Sequence, residues 1–406
     1  MGFKLGVDVL LQDSARLKRL AGRKTALLTH PAGVTGNLEP VAEVLNGHVY
    51  GGAGLKFTCA FGPQHGMRGE KQDNMIESDD YLDPVMGIPV YSLYGRVRRP
   101  TPEMLDHFEV LIVDLQDVGC RIYTFLTTLF YVMEDCAREG KELWVLDRPN
   151  PAGRPVEGND LKPGFESFVG AAPLPMRHGL TLGEAALWYR DLKNLDLALE
   201  VVPMQGYFPD QEPGCGWPER ELSWVNPSPN MPRLSTARQY AGTVLFEGTN
   251  FSEGRGTTLP LEMFGAPNWS GDRLKQKMFS MAPEWLKGCR LRPCCFEPTF
   301  HKFAGQLCGG LQVHVDGPFY YHSEFRPYRL AGLFLKAVRG TYPEFDLWRQ
   351  PPYEYEEKLL PIDILSGSSL LREWVEDDRA SLEDWNQELL RDEREWQKER
   401  EPFLLY

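Results

Sequence analysis

Side chains able to do acid–base work recur in this chain just beyond its short apolar runs. In Val244–Pro260, VLFEGTNFSEGRGTTLP, Glu247 follows the apolar and β-branched residues 243–246 and precedes a loop with Gly254, Arg255 and Gly256. The run LKFTCAF leads into GPQHGMRGE, which carries His65, Arg68 and Glu70. Val110–Val113 leads into Asp114, Gln116 and Asp117, and Leu143–Leu146 into Asp147, Arg148 and Asn150. Asp147 has a cation next to it and Asp117 precedes a helix, so each has a structural use. Glu70 and Glu247 lie in glycine-rich loops, where backbone can approach a ligand closely, and are the two catalytic candidates. Two carboxyl groups across a cleft are the minimum for glycoside hydrolysis. One must stay protonated through desolvation while the other is ionised.

Two other chemistries use the same residues. His65, Asp117 and His178, with Asp147, offer imidazole and carboxylate ligands for a metal-dependent hydrolase. A cleft between two lobes also suits a sugar-binding protein without catalysis. Tyr91, Tyr94, Tyr123, Trp217 and Trp224 could pack on sugar rings, although aromatics build cores as well. There is no G-x-x-x-x-G-K-[ST], no G-x-G-x-x-G at the first strand and no G-x-S-x-G. Those absences remove the P-loop and dinucleotide fingerprints and weaken a serine hydrolase.

The elements that must carry these residues follow from pattern. Asp13 or Ser14 caps a helix through Leu20, and Lys24–Thr29 is the first strand. Strands follow at Leu55–Phe61, Ile88–Ser92 (at an edge), Val110–Val113, Leu143–Leu146 and Ala198–Val202. Helices are expected near Val41–Leu45, from Thr101, over Thr124–Arg138, and from the capping box Thr181/Glu184 to about Leu192. This βαβ succession predicts a doubly wound, mostly parallel α/β domain over 1–267. Within it, 243–246 reads as a strand, 259–264 as a short helix and 151–177 as a surface excursion. Residues 268–406 read as a smaller α+β domain that closes the cleft. In it Leu382, Trp385, Leu389 and Trp396 mark a charged helix packed on its own domain.

Composition narrows the partners. A chain of 406 residues exceeds one ordinary core. With 42% hydrophobic and 25% charged residues it is globular, and a net charge of −13 without a basic stripe excludes nucleic acid. No apolar run spans a bilayer. The eight cysteines form no C-x-x-C pair and point to a reducing compartment. A cytoplasmic location is expected, or export with the signal removed, because the N-terminus has no signal-peptide pattern. No cofactor is expected.

In this order, LLTHPAGVTG, FGPQHGMRGE, VYSLYG, VDLQDVGCRIYTF, VLDRPNPAG, RHGLTLGE, FEGTNFSEGRGT, EPTFHKFAGQLCGG, PPYEYE and PIDIL resemble the exo-β-N-acetylmuramidase family (NamZ-like), formerly a domain of unknown function. The resemblance implies a Rossmann-like domain without a dinucleotide, a smaller C-terminal domain and an active site between them. It further implies release of N-acetylmuramic acid from the non-reducing ends of peptidoglycan fragments, with Glu70 and Glu247 as the acids. His30 stands where asparagine is usual and Gln64 where glutamate is usual. Muramic acid differs from N-acetylglucosamine by a lactyl carboxylate, for which Arg68, Arg148, Arg177 and Arg255 are the candidate cations. His65, Asp117, Asn150, His178 and Asn250 complete the substrate-binding candidates.

Overall fold

The computed structural model describes residues 2–46, 54–69, 71, 75–211 and 215–406. Its first lobe begins with helices α1 (Gly6–Gln12) and α2 (Ser14–Leu20), the second capped by Asp13, whose carboxylate accepts from the backbone N–H groups of Ala15 and Arg16. There follow β1 (Lys24–Thr29), α3 (Val41–Leu45), β2 (Lys56–Gly62), β3 (Tyr81–Leu82), β4 (Pro89–Ser92) and α4 (Pro102–Leu105). Next come β5 (Val110–Asp114), α5 (Thr124–Arg138), β6 (Glu142–Leu146), β7 (Glu157–Asp160), β8 (Pro175–Arg177), α6 (Leu182–Leu192) and β9 (Leu199–Val202).

Among the described residues, seven strands pair in the order β3-β4-β2-β1-β5-β6-β9. All are parallel except β3, which runs antiparallel to β4. Alternation along the strands explains the layers. Ala26, Leu28, Leu111, Val113, Leu143 and Val145 pack into one apolar cluster with α5 and α6. Leu27, Val110, Ile112, Trp144 and Leu146 pack into the other with α1, α2 and α3. Strands buried on both faces are what a helix-covered parallel sheet requires. The chain leaves β1 toward β2 on one side and later returns to β5 on the other. The ends of β1, β2 and β5 therefore frame a switch-point crevice, the usual ligand position in such sheets.

The second lobe contains α7 (Leu234–Thr243), a 3₁₀ turn (Val244–Gly248), β10 (Met263–Pro267), α8 (Gly271–Met281), β11 (Arg290–Phe296) and β12 (Cys308–His314). It ends with α9 (Pro327–Thr341), α10 (Pro361–Ser366), α11 (Leu370–Glu376) and α12 (Leu382–Arg400). Its sheet is antiparallel in the order β10-β12-β11. Helices α7 and α9 pack at Gly242, where a Cβ would fall 1.9 Å from the Pro327 carbonyl oxygen.

Several expectations need correcting. Residues 243–246 are the end of α7 and a 3₁₀ turn, not a strand; an apolar run of four residues fits a fully buried helix equally well. Residues 259–264 turn, with Leu261 at φ 63°, and then enter β10 in place of the expected helix. The stretch 151–177 is no mere surface excursion, because β7 and β8 pair within it and are largely buried. β4 is not the edge, since β3 pairs outside it. Helix α12 also crosses to the first lobe: Trp396 Nε1 donates to the His178 carbonyl at 2.8 Å and Arg400 Nη1 to the Arg154 carbonyl at 2.8 Å.

Candidate active site

The switch-point crevice holds a pocket of about 470 Å³ including its open mouth. The first lobe contributes Gln64 and His65 from the β2 exit and Tyr123 and Thr124 from the start of α5. The segment before α7 contributes Asn230, and the second lobe Tyr240, Glu247, Arg255, Tyr353 and Glu354.

Glu247 is carried by the 3₁₀ turn and is 4% exposed. Its Oε1 accepts from Arg255 Nη2 at 2.5 Å and its Oε2 from the Tyr353 hydroxyl at 2.8 Å. Arg255 also approaches Glu253 at 3.4 Å, and Lys302 Nζ donates to Glu253 at 2.8 Å. Burial works against the Arg255 charge, but Glu247 and Glu253 more than offset it and raise its pKa. The loop between these acids depends on glycine. Gly256 has φ 82°, and a Cβ there would lie 2.6 Å from the Phe300 carbonyl oxygen.

The second carboxyl group in the pocket is one the sequence patterns did not single out. Glu354 is 6% exposed and accepts from the Tyr94 hydroxyl at 3.0 and 3.2 Å. Burial, reinforced by the charge of Glu247, pushes its pKa up to about 7, although the Tyr94 hydrogen bond and Arg98 pull the other way. Glu354 and Tyr355 have φ of 45° and 68°, a left-handed conformation costing about 1–3 kcal/mol per non-glycine residue. The available signal was an acid between two tyrosines in PPYEYE, far from any apolar run.

Glu70 lies outside the described residues. His65, on the same loop, lines the pocket at φ 71°, with Nδ1 2.8 Å from the Lys71 carbonyl oxygen. Arg68 is exposed, 4.2 Å over the Tyr81 ring and 4.0 Å from Asp83. Gln64, at the position where relatives were expected to carry glutamate, accepts from the Thr124 hydroxyl at 2.8 Å.

Other candidates face elsewhere. Arg148 grips Asp114 with two hydrogen bonds of 2.8 and 2.7 Å. Arg177 donates to the carbonyls of Ala152 and Phe325. The Asn150 amide holds the carbonyls of Gly153 and Leu180, and Asn250 those of Asp346 and Trp348. Asp117 is buried, accepts from Gly119 N–H at 2.7 Å and is 3.9 Å from His178. Burial pushes Asp117 up to about 7 and His178 down to about 3. None of these six lines the pocket. Loops beyond strand ends need polar residues both to bind ligands and to satisfy their own backbone; residue type alone does not separate the two uses. Asp147 is likewise structural, accepting from Thr181, Gly183 and Tyr406. Of the aromatic candidates, Tyr123 lines the pocket, whereas Trp217 and Trp224 pack edge-on against each other. Among the described residues, no three side chains of metal-ligating type converge, so His65, Asp117 and His178 do not form one site.

Comparison with known proteins bears on the whole chain. Residues 25–235 match the family model described as exo-beta-N-acetylmuramidase NamZ, N-terminal, and residues 238–406 the corresponding C-terminal model. The chain is 36% identical over 403 residues to the peptidoglycan beta-N-acetylmuramidase NamZ of Bacillus subtilis (strain 168), covering 99% of this chain and 91% of that protein. Two crystal structures of DUF1343 family proteins from Bacteroides fragilis NCTC 9343 are similar over the full chain. One has a TM-score of 0.84 at 29% identity, the other 0.76 at 26%; each comparison covers 100% of this chain and 99% of the other.

Proposed function

The chain belongs to the exo-β-N-acetylmuramidase NamZ family, and from that premise we propose that it releases N-acetylmuramic acid from the non-reducing ends of peptidoglycan fragments, with Glu247 as an essential carboxylate. It is a glycoside hydrolase. The observation that carries the site assignment is Glu247 in the pocket wall, held from two sides by Arg255 and Tyr353. A carboxylate fixed in this way can face the positive charge that develops at the anomeric carbon without reorganising. Glu70 remains the second acid implied by the family motif.

Turnover of a chromogenic β-N-acetylmuraminide tests the activity and separates it from sugar binding alone. Glu247→Gln keeps the shape and removes the titratable group, so kcat should fall at least about 10²-fold. Near-normal turnover by that variant would rule out Glu247 as an essential group.

A further inference from the structure

We propose that Glu354 is the proton donor to the leaving-group oxygen, held for that task by Tyr94 across the junction of the two lobes. The proposal rests on the glycosidase assignment and adds a catalytic residue to it. The geometry begins with the dipeptide Tyr353-Glu354. Tyr353 turns its hydroxyl to Glu247, and the next residue places a second carboxyl group in the same pocket. One short segment thus sets both acids. It does so through consecutive left-handed residues, a conformation that persists only where its surroundings over-determine it.

Tyr94 follows β4, 260 residues away in sequence, and its hydroxyl reaches both Glu354 oxygens. Burial raises the Tyr94 pKa, so the phenol stays a donor. Arg98 lies over the Tyr94 and Tyr355 rings at 4.1 and 4.5 Å and hydrogen-bonds the Tyr355 hydroxyl. Among the described residues, the other charged or titratable groups lining the pocket are Glu247, Arg255, Tyr353, Tyr240, Tyr123 and His65. Burial and the Glu247 charge favour the protonated form of Glu354, and Tyr94 and Arg98 favour the carboxylate. A carboxyl group balanced near neutral pH has the form a general acid needs.

The step balances without a further reactant. The Glu354 proton passes to the glycosidic oxygen as the bond from C1 breaks, and the bonding pair leaves with that oxygen. Water then adds its hydroxyl to C1, and its remaining proton restores the Glu354 carboxyl group.

The test compares two substrates across pH: the disaccharide N-acetylmuramyl-N-acetylglucosamine, whose leaving group needs a proton, and 2,4-dinitrophenyl β-N-acetylmuraminide, whose leaving group does not. Glu354→Gln should lose at least about 10²-fold on the disaccharide, stay within about tenfold on the activated substrate, and lose the decline in rate above pH 7. Retained rate on the activated substrate also reports that the variant is folded. Tyr94→Phe removes a hydrogen bond that stabilises the carboxylate, so the alkaline decline should move to higher pH; this second variant carries the test should the first not fold. Glu70→Gln should not reproduce the leaving-group pattern. No turnover of either substrate by the wild-type protein would overturn the glycosidase assignment, and the role of Glu354 with it. Wild-type turnover with an unimpaired Glu354→Gln, an unmoved decline in Tyr94→Phe, or the leaving-group pattern in Glu70→Gln would overturn the role of Glu354 alone.

Discussion

Four arginines near strand ends were candidates to read the lactyl carboxylate, and their surroundings now separate them. Arg148 and Arg177 are buried and spend their donors on Asp114, Val34, Ala152 and Phe325. Arg255 is committed to Glu247 and Glu253. Arg68 alone of the four keeps its guanidinium exposed, on the loop that brings His65 to the pocket. A charged hydrogen bond contributes about 1.5–3 kcal/mol, so Arg68→Met is expected to lower kcat/KM on a muraminide roughly 10- to 100-fold. Any residual activity on the matching glucosaminide should barely change. Equal losses on both substrates would show that Arg68 does not read the lactyl group.

At the scale of elements, the site depends on how α7 delivers the turn that follows it. Thr243 ends the helix and Val244 begins the 3₁₀ turn, so any shift of α7 moves Glu247. The helix is located by its approach to α9 at Gly242, where no Cβ fits. Gly242→Ala would help an isolated helix by its intrinsic propensity, but the clash is with backbone and cannot be relieved by a rotamer. The expected outcome is a net loss of about 1–3 kcal/mol in stability, read from urea unfolding, together with lower kcat because Glu247 is displaced. A variant as stable and active as wild type would show that this contact does not locate the turn.

Across the whole molecule, buried acids and buried histidines pull stability in opposite directions with pH. Burial raises Asp117, Asp160 and Glu354 to about 7 and Asp147 to about 6. Each stabilises the fold fully below about pH 4, where the unfolded chain is also protonated, and loses that contribution as pH rises through its folded value. Burial depresses His178 to about 3 and His322 to about 2. Their contribution is present above about pH 6.5 and is lost as pH falls below it. The two sets oppose each other between about pH 4 and 6.5, and below that only the histidines still change, joined by ion-paired acids such as Glu253, whose pKa is lowered. The urea midpoint should therefore vary little from pH 6.5 to 4.5 and drop below pH 4. A midpoint that keeps rising down to pH 3 would contradict this balance.

Local pattern was enough for six of the seven strands of the mostly parallel sheet, all but β3. β1 and α5 occupy the very residues their periodicity predicted, and the capping box at Thr181 begins α6 as expected. Such elements are recognisable because burial on one or both faces imposes a repeat of two or of 3.6 residues on neighbouring positions. The same economy failed at 243–246, where four apolar residues satisfy either repeat and packing against α9 and α10 decides. Family motifs carried the function, and they named Glu247, which the fold then surrounded with Arg255 and Tyr353. Glu354 lies in one of the same motifs, PPYEYE, but nothing in that motif marks it for a role. Its part depends on a tyrosine 260 residues distant, on exclusion from water and on the charge of Glu247. Arg148 shows the converse: it was a candidate to read the substrate at a strand end, and it serves the fold through Asp114, 34 residues away, whereas Asp147 has the structural use expected of it, through Thr181. A carboxyl group's protonation and an arginine's partner are properties of the space around them, and only the tertiary structure brings that space together.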